Sequence, residues 1–280
     1  MLVGGLAAGV FGSLLGLGGG ILIVPLLTLV FGVPLREAVG VSLVCVIVTS
    51  SAAAGVYLER RQANLRLGML LELFTAIGAI AGGLIAFALD ERLLAGLFAG
   101  LLVYVALTMV RSPRASASDE AASVFGDPDS AGVADDDAAS AARAGTLPWA
   151  SDESGGPVRR LPAGIAGSLG AGVLSALLGI GGGIVKVPLM HLVMGVPLRM
   201  ATATSNLMIG ITASTSAIVY LARGGIDVNT AGPTAIGVFV GASIGSRYGR
   251  RLHVGVLRFL FVAVLLFTAF EMARRALAGA

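Results

Sequence analysis

The sequence predicts an all-α polytopic membrane protein. Two homologous repeats make it up, each with a broken Gly-rich/Pro segment and about three further transmembrane helices. Three observations predict this. The 280-residue chain is 56% hydrophobic and 12% charged, with a mean hydropathy of +0.93, whereas soluble domains carry roughly a quarter charged residues. Apolar runs of spanning length alternate with short charged clusters. One motif occurs twice, as Gly16-Leu17-Gly18-Gly19-Gly20 with Pro25 and as Gly179-Ile180-Gly181-Gly182-Gly183 with Pro188. Each copy is followed by Gly-Val-Pro-Leu-Arg, at Gly32–Arg36 and Gly195–Arg199. Helix breakers at matched places in apolar sequence are the mark of spans whose backbone is interrupted for a purpose.

The first segment, Leu2 to Leu35, carries no charge. As one straight helix it would run about 50 Å, against a hydrocarbon core of roughly 30 Å. It is therefore expected to tilt strongly, break or turn back, with Gly18-Gly19-Gly20 as the natural break and Pro25 preventing a regular backbone bond just beyond. Further spans are expected at Ala38–Leu58, Leu67–Leu89 and Leu93–Val110, each bounded by charge. Residues 112–160 differ abruptly, with nine acidic residues from Asp119 to Glu153 set among Ala, Ser, Gly and Pro. Such composition buries too little apolar area to offset ordering, so a disordered acidic linker is expected there. Residues 1–111 and 161–280 are then the two membrane repeats.

The second repeat follows the first at an offset of 163 residues: Gly9 aligns with Gly172, Pro25 with Pro188, Arg36 with Arg199, Ser42 with Ser205, Thr49 with Thr212 and Tyr57 with Tyr220. Its spans are expected at Leu161–Val196, Ala201–Ala222, Thr230–Arg247 and Leu257–Met272. Cytoplasmic loops are enriched in Lys and Arg. Arg60-Arg61-Arg66 and Arg247-Arg250-Arg251 fall on one face of the membrane if the long motif segment of the second repeat enters and returns, or crosses twice. The repeats are then inverted, and the linker ends Arg111, Arg114, Arg159 and Arg160 join the same face. Arg274-Arg275 argues the other way.

Several function classes are excluded or disfavoured. The net charge of +3 comes mostly from arginine at span ends, which is topology information rather than a nucleic-acid footprint. The single cysteine, Cys45, allows no internal disulfide and no cysteine metal cage. No signal peptide is expected, since the N-terminus lacks a basic region and a small-residue cleavage site. There is no Walker motif, HExxH, catalytic triad or dinucleotide fingerprint in context. No catalytic residue, metal or cofactor is therefore expected.

The residues that could carry chemistry cluster around the motif. Lys186 is the only lysine and replaces the Ile23 of the first copy, inside apolar sequence. A cation there is a functional hypothesis by default, with anion neutralisation as its reading and snorkelling to the interface as the alternative. A glycine break followed by a helix start exposes backbone N–H groups at the positive end of a dipole, so Gly18, Gly19, Gly20, Gly181, Gly182 and Gly183 are candidate anion ligands; close helix packing through small residues competes. Ser205 and Thr212 share a helical face with Ser216, and Asn206 joins them. These second-repeat residues are expected to line a polar cavity, against hydrogen bonding between helices or to their own helix carbonyls; for Ser42 of the first repeat, also a candidate substrate ligand, the readings stay even. Glu72 and His191 are candidates for proton coupling. For Glu72, a pair with Arg66 at the interface is the favoured alternative; for His191, a packed or hydrogen-bonded role is as good.

At these residues the chain resembles the sulfite exporter TauE/SafE family of membrane permeases. The resemblance rests on the two GLGGG/GIGGG motifs with Pro25 and Pro188, Gly32-Val33-Pro34 and Gly195-Val196-Pro197, Ala38 and Ser42, and Ala201 and Ser205. It spans both repeats and excludes the linker. It implies a multi-pass protein of the bacterial inner membrane that moves sulfite, a sulfonate or thiosulfate. The expected function is then secondary transport, as an exporter, by rocking one repeat against the other. A membrane-embedded enzyme of sulfur metabolism and a non-transporting assembly protein are the alternatives. The expected partners are the bilayer and a small anionic substrate, with a homodimer left open.

Overall fold

The computed structural model describes residues 1–14, 20–59, 65–111, 160–196, 198–248 and 254–278. The acidic linker, apart from Arg160, lies outside the described residues, as do Gly16 to Gly19, Arg60, Arg61, Arg250 and Arg251. The described residues form ten α-helices, and two of these are prolonged by a π-helical turn.

The first repeat comprises α1 (Leu2–Leu14), α2 (Gly20–Pro25) running into the π-turn Leu26–Val30, α3 (Leu35–Glu59), α4 (Leu65–Ala88) and α5 (Glu91–Arg111). The second comprises α6 (Leu161–Leu178), α7 (Gly183–Pro188) running into the π-turn Leu189–Val193, α8 (Leu198–Ala222), α9 (Val228–Tyr248) and α10 (Val254–Ala278). The same elements therefore recur in the same order, as the repeat in sequence predicts.

The motif explains the short arms. Pro25 and Pro188 end α2 and α7, because proline has no N–H to give to the preceding turn, and the chain continues in wider π register. Each arm closes on a glycine with positive φ, Gly32 at 65° and Gly195 at 73°. The next residue reaches back six positions, Val33 N–H to Leu27 O at 3.0 Å and Val196 N–H to Met190 O at 3.0 Å. This is one residue wider than the 6→1 bond of a Schellman stop, as the π turn before it requires, and Gly-Val-Pro-Leu-Arg is accordingly a helix terminator joined to a helix start.

Both long motif segments double back. Gly4, near the start of α1, lies against Leu26 and Phe31 at the end of the returning arm. Gly164 and Gly167 of α6 lie in the same way against Met194 and Leu189. α1 has 13 residues and each returning arm spans 11, Gly20–Val30 and Gly183–Val193, about 16 Å, so these are too short to cross alone, whereas α6, with 18 residues, has the length to cross. Four described helices have the length and composition to cross a membrane, within Arg66–Ala88, Glu91–Thr108, Leu161–Leu178 and Met200–Ala222.

The repeats exchange partners. α1 packs on α9 and α4 on α6, while α3 packs on α8 and α5 on α10. Gly9 of α1 abuts the Val238 carbonyl of α9, and at the equivalent place Gly172 of α6 abuts the Thr75 carbonyl of α4. Gly5 and Gly9 meet Thr234 and Val238 in turn, and Gly78 and Gly82 meet Leu169 and Val173, so both of these pairs run parallel. In the central pair, Gly40 meets Gly225 while Gly210 meets Ser50, so α3 and α8 run antiparallel.

Polarity is distributed as a lipid-facing protein requires. Ile77, Ile80, Leu107, Ile218, Phe267 and Phe270 are exposed, whereas Ser42, Glu72, Thr75, Lys186, Thr204 and Thr212 are buried. Exposed apolar faces of this extent on long helices fit a bilayer, which supplies the missing apolar neighbour.

Candidate functional site

Gly20, the described end of the first glycine motif, meets the second motif in the buried interior. A Cβ placed on Gly20 would fall 3.1 Å from the carbonyl oxygen of Gly179, so the end of one motif touches the start of the other. Ser42 of α3 ties them: its hydroxyl donates to Gly179 O at 2.7 Å and lies 3.2 Å from Gly20 O. Val46, one turn further along α3, sits between Gly20 and Gly181. The repeat-related positions on α8, Ser205 and Ile209, border Gly183 from the other side.

The second motif forms a turn of unusual backbone. Gly179, Gly181 and Gly182 have φ of 70°, 72° and 77°, a region that costs an L-residue about 1–2 kcal/mol but not glycine. Gly179 caps α6 through its N–H to Ser175 O at 2.8 Å, and the Gly182 carbonyl receives Val185 and Lys186 N–H. Among the described residues, the N–H groups of Gly181, Gly182 and Gly183 find no backbone acceptor. Two buried hydroxyls beside this turn are also without a partner, Ser175 Oγ of α6 and Ser205 Oγ of α8. Gly182 stands against Ser175 and the Lys186 stem: its Cβ would be 3.3 Å from Ser175 Cβ and 3.6 Å from Lys186 Cε. Free N–H groups and unsatisfied buried hydroxyls are costly, by roughly 1–3 kcal/mol each, so a site offering several together is built to receive acceptor oxygens or water.

One turn beyond, Lys186 enters a closed polar triad. Its Nζ donates to Glu72 Oε2 at 3.0 Å and to Thr212 Oγ1 at 2.6 Å, and Thr212 Oγ1 donates to Glu72 Oε1 at 2.6 Å. The three residues come from α7, α4 and α8, so the pair joins the two repeats. The Lys186 and Glu72 side chains are 1% and 4% exposed. Burying two ions costs several kcal/mol each, which only direct contact and full hydrogen bonding offset. At the repeat-related positions stand Ile23, Ala235 and Thr49, so the charge belongs to one side of the fold.

The sequence-predicted residues are distributed as follows. Gly20, Gly181, Gly182, Gly183, Ser42, Ser205, Lys186 and Thr212 come together around the meeting point of the motifs. Gly18 and Gly19 lie outside the described residues. Asn206 is half-buried beside Ser205 and takes no part in the triad. Glu72 is corrected: it pairs with Lys186 rather than Arg66. Arg66 is exposed, six residues earlier on α4 and hence about 9 Å along its axis. Lys186 does not snorkel; its ammonium is met inside the protein. His191 occupies the π-turn where the first repeat has Thr28, and its Nδ1 is 3.0 Å from Val196 O. That carbonyl can only accept, so Nδ1 carries the proton of this bond, and His191 stays apart from the triad.

Most other hydroxyls bond their own helix. Thr49 reaches Cys45 O, Ser51 reaches Ile47 O, Ser214 reaches Gly210 O and Ser216 reaches Thr212 O. The broad Ser205–Thr212–Ser216 face thus reduces to Ser205 and Thr212. Sequence reasoning missed Ser175, whose repeat-related residue is Gly12; a lone serine in an apolar helix without a repeated partner gives no signal. Among the described residues no three of His, Cys, Asp and Glu gather as a metal-binding group.

Comparison with known proteins agrees with this architecture. Over residues 1–272 the sequence matches the family model described as sulfite exporter TauE/SafE. It is 25% identical to the probable membrane transporter protein YunE of Bacillus subtilis, over 95% of this chain and 93% of that protein. It is 24% identical to the probable membrane transporter protein MJ0441 of Methanocaldococcus jannaschii, over 95% and 91% of the two chains. The probable membrane transporter protein MamO of Magnetospirillum gryphiswaldense is 28% identical over 95% of this chain but only 43% of its own length. No solved structure matches. With the family match running through both repeats, the doubled motif and the helices around it, the chain belongs to the sulfite exporter TauE/SafE family.

Proposed function

We propose that this membrane transporter moves a small sulfur-containing anion, sulfite or an organosulfonate, out across the bacterial inner membrane by alternating access of two inverted repeats. The observation that carries the proposal is the convergence of the two motif arms on unbonded N–H groups and the unpartnered hydroxyls of Ser175 and Ser205, beside the buried Lys186. An oxyanion presents several acceptor oxygens, which is the complement such a cradle lacks. Membership of the sulfite exporter family and relatives named as probable membrane transporters support transport of this class.

Helix direction supports inversion. With each motif segment returning to the side it came from, three further crossings follow in each repeat, and an odd number places the second repeat upside down. Parallel running of α1 with α9 and of α4 with α6, and antiparallel running of α3 with α8, are what that arrangement demands. Same-way repeats would set α3 and α8 parallel. Arg66, Arg111, Arg160 and Arg247 then share one face, the cytoplasmic one by the positive-inside tendency.

Flux in proteoliposomes with labelled sulfite, sulfoacetate, sulfate and chloride tests the function. Movement of the sulfur oxyanions, faster than chloride and abolished by loss of the protein, is the expected result. Absence of any anion flux would sink the proposal and leave an enzyme or assembly role.

A further inference from the structure

We propose that the Lys186–Glu72–Thr212 triad is the coupling element of the transport cycle: protonation of Glu72 frees the Lys186 charge for the anion, so that one proton travels with each anion. The inference rests on the anion-transport reading and deepens it. A cradle for an anion needs positive charge, and the only described cation beside the glycine turn is cancelled by a carboxylate at 3.0 Å. As drawn, the pair is neutral and every oxygen of Glu72 is bonded, Oε2 to Lys186 and Oε1 to Thr212. An incoming anion would face Glu72 as much as Lys186. A proton on Glu72 changes the net charge of the triad from zero to plus one without moving a helix, and the Lys186 stem already lies against Gly182.

The titratable surroundings make Glu72 the one group able to do this. Its own helix α4 carries Arg66 at the exposed end and no other charge before Ala88. α6, packed along α4, has no titratable residue between Leu161 and Leu178. α8, also packed on α4, has beyond Met200 only Tyr220, whose hydroxyl donates to Ala176 O at 3.0 Å. α7 brings Lys186, and His191 in the π-turn beyond it is held to Val196 O. Thr212, donor to Glu72 and acceptor from Lys186, can reverse its hydroxyl and so keep both partners satisfied when the carboxyl is protonated.

The cycle balances in charge and protons. From one aqueous side Glu72 takes a proton and the Lys186 ammonium binds the anion. On the other side the anion leaves, Glu72 returns its proton to water, and the neutral pair re-forms. A monovalent sulfonate is thereby carried with no net charge, so its export runs on an outward anion gradient larger than the opposing inward pH gradient, whereas a divalent anion carries one negative charge and is also driven outward by an inside-negative membrane potential.

Methanesulfonate, which binds no proton itself near neutral pH, is the probe. In proteoliposomes a pH gradient should drive its accumulation toward about tenfold per pH unit, with uptake of protons at equal rate read by an entrapped dye. In difference infrared spectra of the wild-type protein, adding methanesulfonate should raise the band of a protonated carboxylic acid, and Glu72→Gln should abolish it. Glu72→Gln, which keeps the hydrogen bonds and leaves Lys186 charged, should exchange labelled for unlabelled anion yet lose accumulation. The charge-swapped variant Glu72→Lys with Lys186→Glu retains a pair but moves the cation from α7 to α4, and anion uptake should fall at least tenfold. Uptake insensitive to the pH gradient, no carboxylic band, or full coupled uptake by the swapped variant would each overturn the coupling role while leaving transport standing. Absence of all anion flux would remove the transport reading and this inference with it.

Discussion

The hydroxyl of Ser42 spans 137 positions of sequence to donate to the carbonyl of Gly179 at 2.7 Å. That single bond fastens α3 of the first repeat to the glycine turn of the second. Because Ser42 also lies 3.2 Å from Gly20 O, it registers both motif copies against one helix. The arms of the two motifs cannot separate without breaking it.

Ser42→Ala should therefore do more than an average surface change. Leaving a buried carbonyl unpaired costs about 1–3 kcal/mol, which lowers the thermal midpoint of the purified protein in detergent. Ser42→Thr keeps the donor and, if tolerated sterically beside Val46 and Gly20, should recover most of that loss. Equal midpoints for wild type and Ser42→Ala would show that the bond has no share in stability.

The ion pair predicts a non-additive pattern. Lys186→Met alone or Glu72→Leu alone leaves one buried charge uncompensated, at a cost of about 3–5 kcal/mol. The double variant removes both charges and should return close to wild-type stability, while anion transport stays lost. Lys186→Ala should also weaken anion binding far more than Lys186→Arg, which keeps the charge. A double variant as unstable as the sum of the singles would mean that the residues are not coupled.

Glycines at the crossings should divide sharply by place. Gly172→Leu sets a side chain against the Thr75 carbonyl and Gly9→Leu against the Val238 carbonyl, so both should prevent folding, as judged by recovery of monodisperse protein. Gly100 of α5 has open space around its Cβ position, and Gly100→Ala should be tolerated or stabilising by about 0.5–1 kcal/mol through helix propensity. Substituting a helical glycine then has opposite outcomes according to what the added side chain meets.

Acid should loosen the start of α9. Asp227 accepts from the Thr230 hydroxyl at 2.7 Å and the Asn229 N–H at 3.1 Å, and these bonds hold its carboxyl below its ordinary 3.8. A lowered folded value means that stability is present above 3.8 and is lost as pH falls through the folded value. Asp227→Asn should thus lower the thermal midpoint slightly at neutral pH and leave it level with wild type in strong acid. A difference that grows on acidification would contradict the cap.

Much of the architecture was legible in the sequence because it follows from local and periodic rules. The repeat at 163 residues predicted the matched element order. The length of Leu2–Leu35 against the bilayer excluded one straight upright span, and arginine placement favoured a segment that doubles back. The glycine runs with Pro25 and Pro188 marked the expected break, since backbone restrictions act over a few residues; Gly18 and Gly19 lie outside the described residues, and the stops at Gly32 and Gly195 came from the structure. The importance of Lys186 was legible too, because a lone lysine among apolar residues stands out in any context.

Partnership was not legible. Glu72 is 114 positions from Lys186, and the nearest opposite charge in sequence, Arg66, was the favoured choice; helix geometry turns Glu72 inward and leaves Arg66 at the exposed end. Ser175 gives no sign in a row of alanine, leucine and glycine, and only the approach of Gly182 makes it part of the site. The hydroxyls of α3 and α8 look alike in sequence, yet most satisfy their own helix carbonyls, while Ser42 and Thr212 reach across.

What the sequence determined by itself, then, was the class, the repeats, the expected breaks and the one lysine set in apolar sequence, all consequences of hydropathy, proline, glycine and span length. What only the tertiary structure decided was the set of contacts between repeats: which motif faces which, that Ser42 joins them, and that the charge of Lys186 is answered by Glu72. Those are set by packing two distant halves of the chain at atomic distance, where a carbonyl or carboxylate within 3.0 Å decides the role of a residue, and no local pattern encodes that distance.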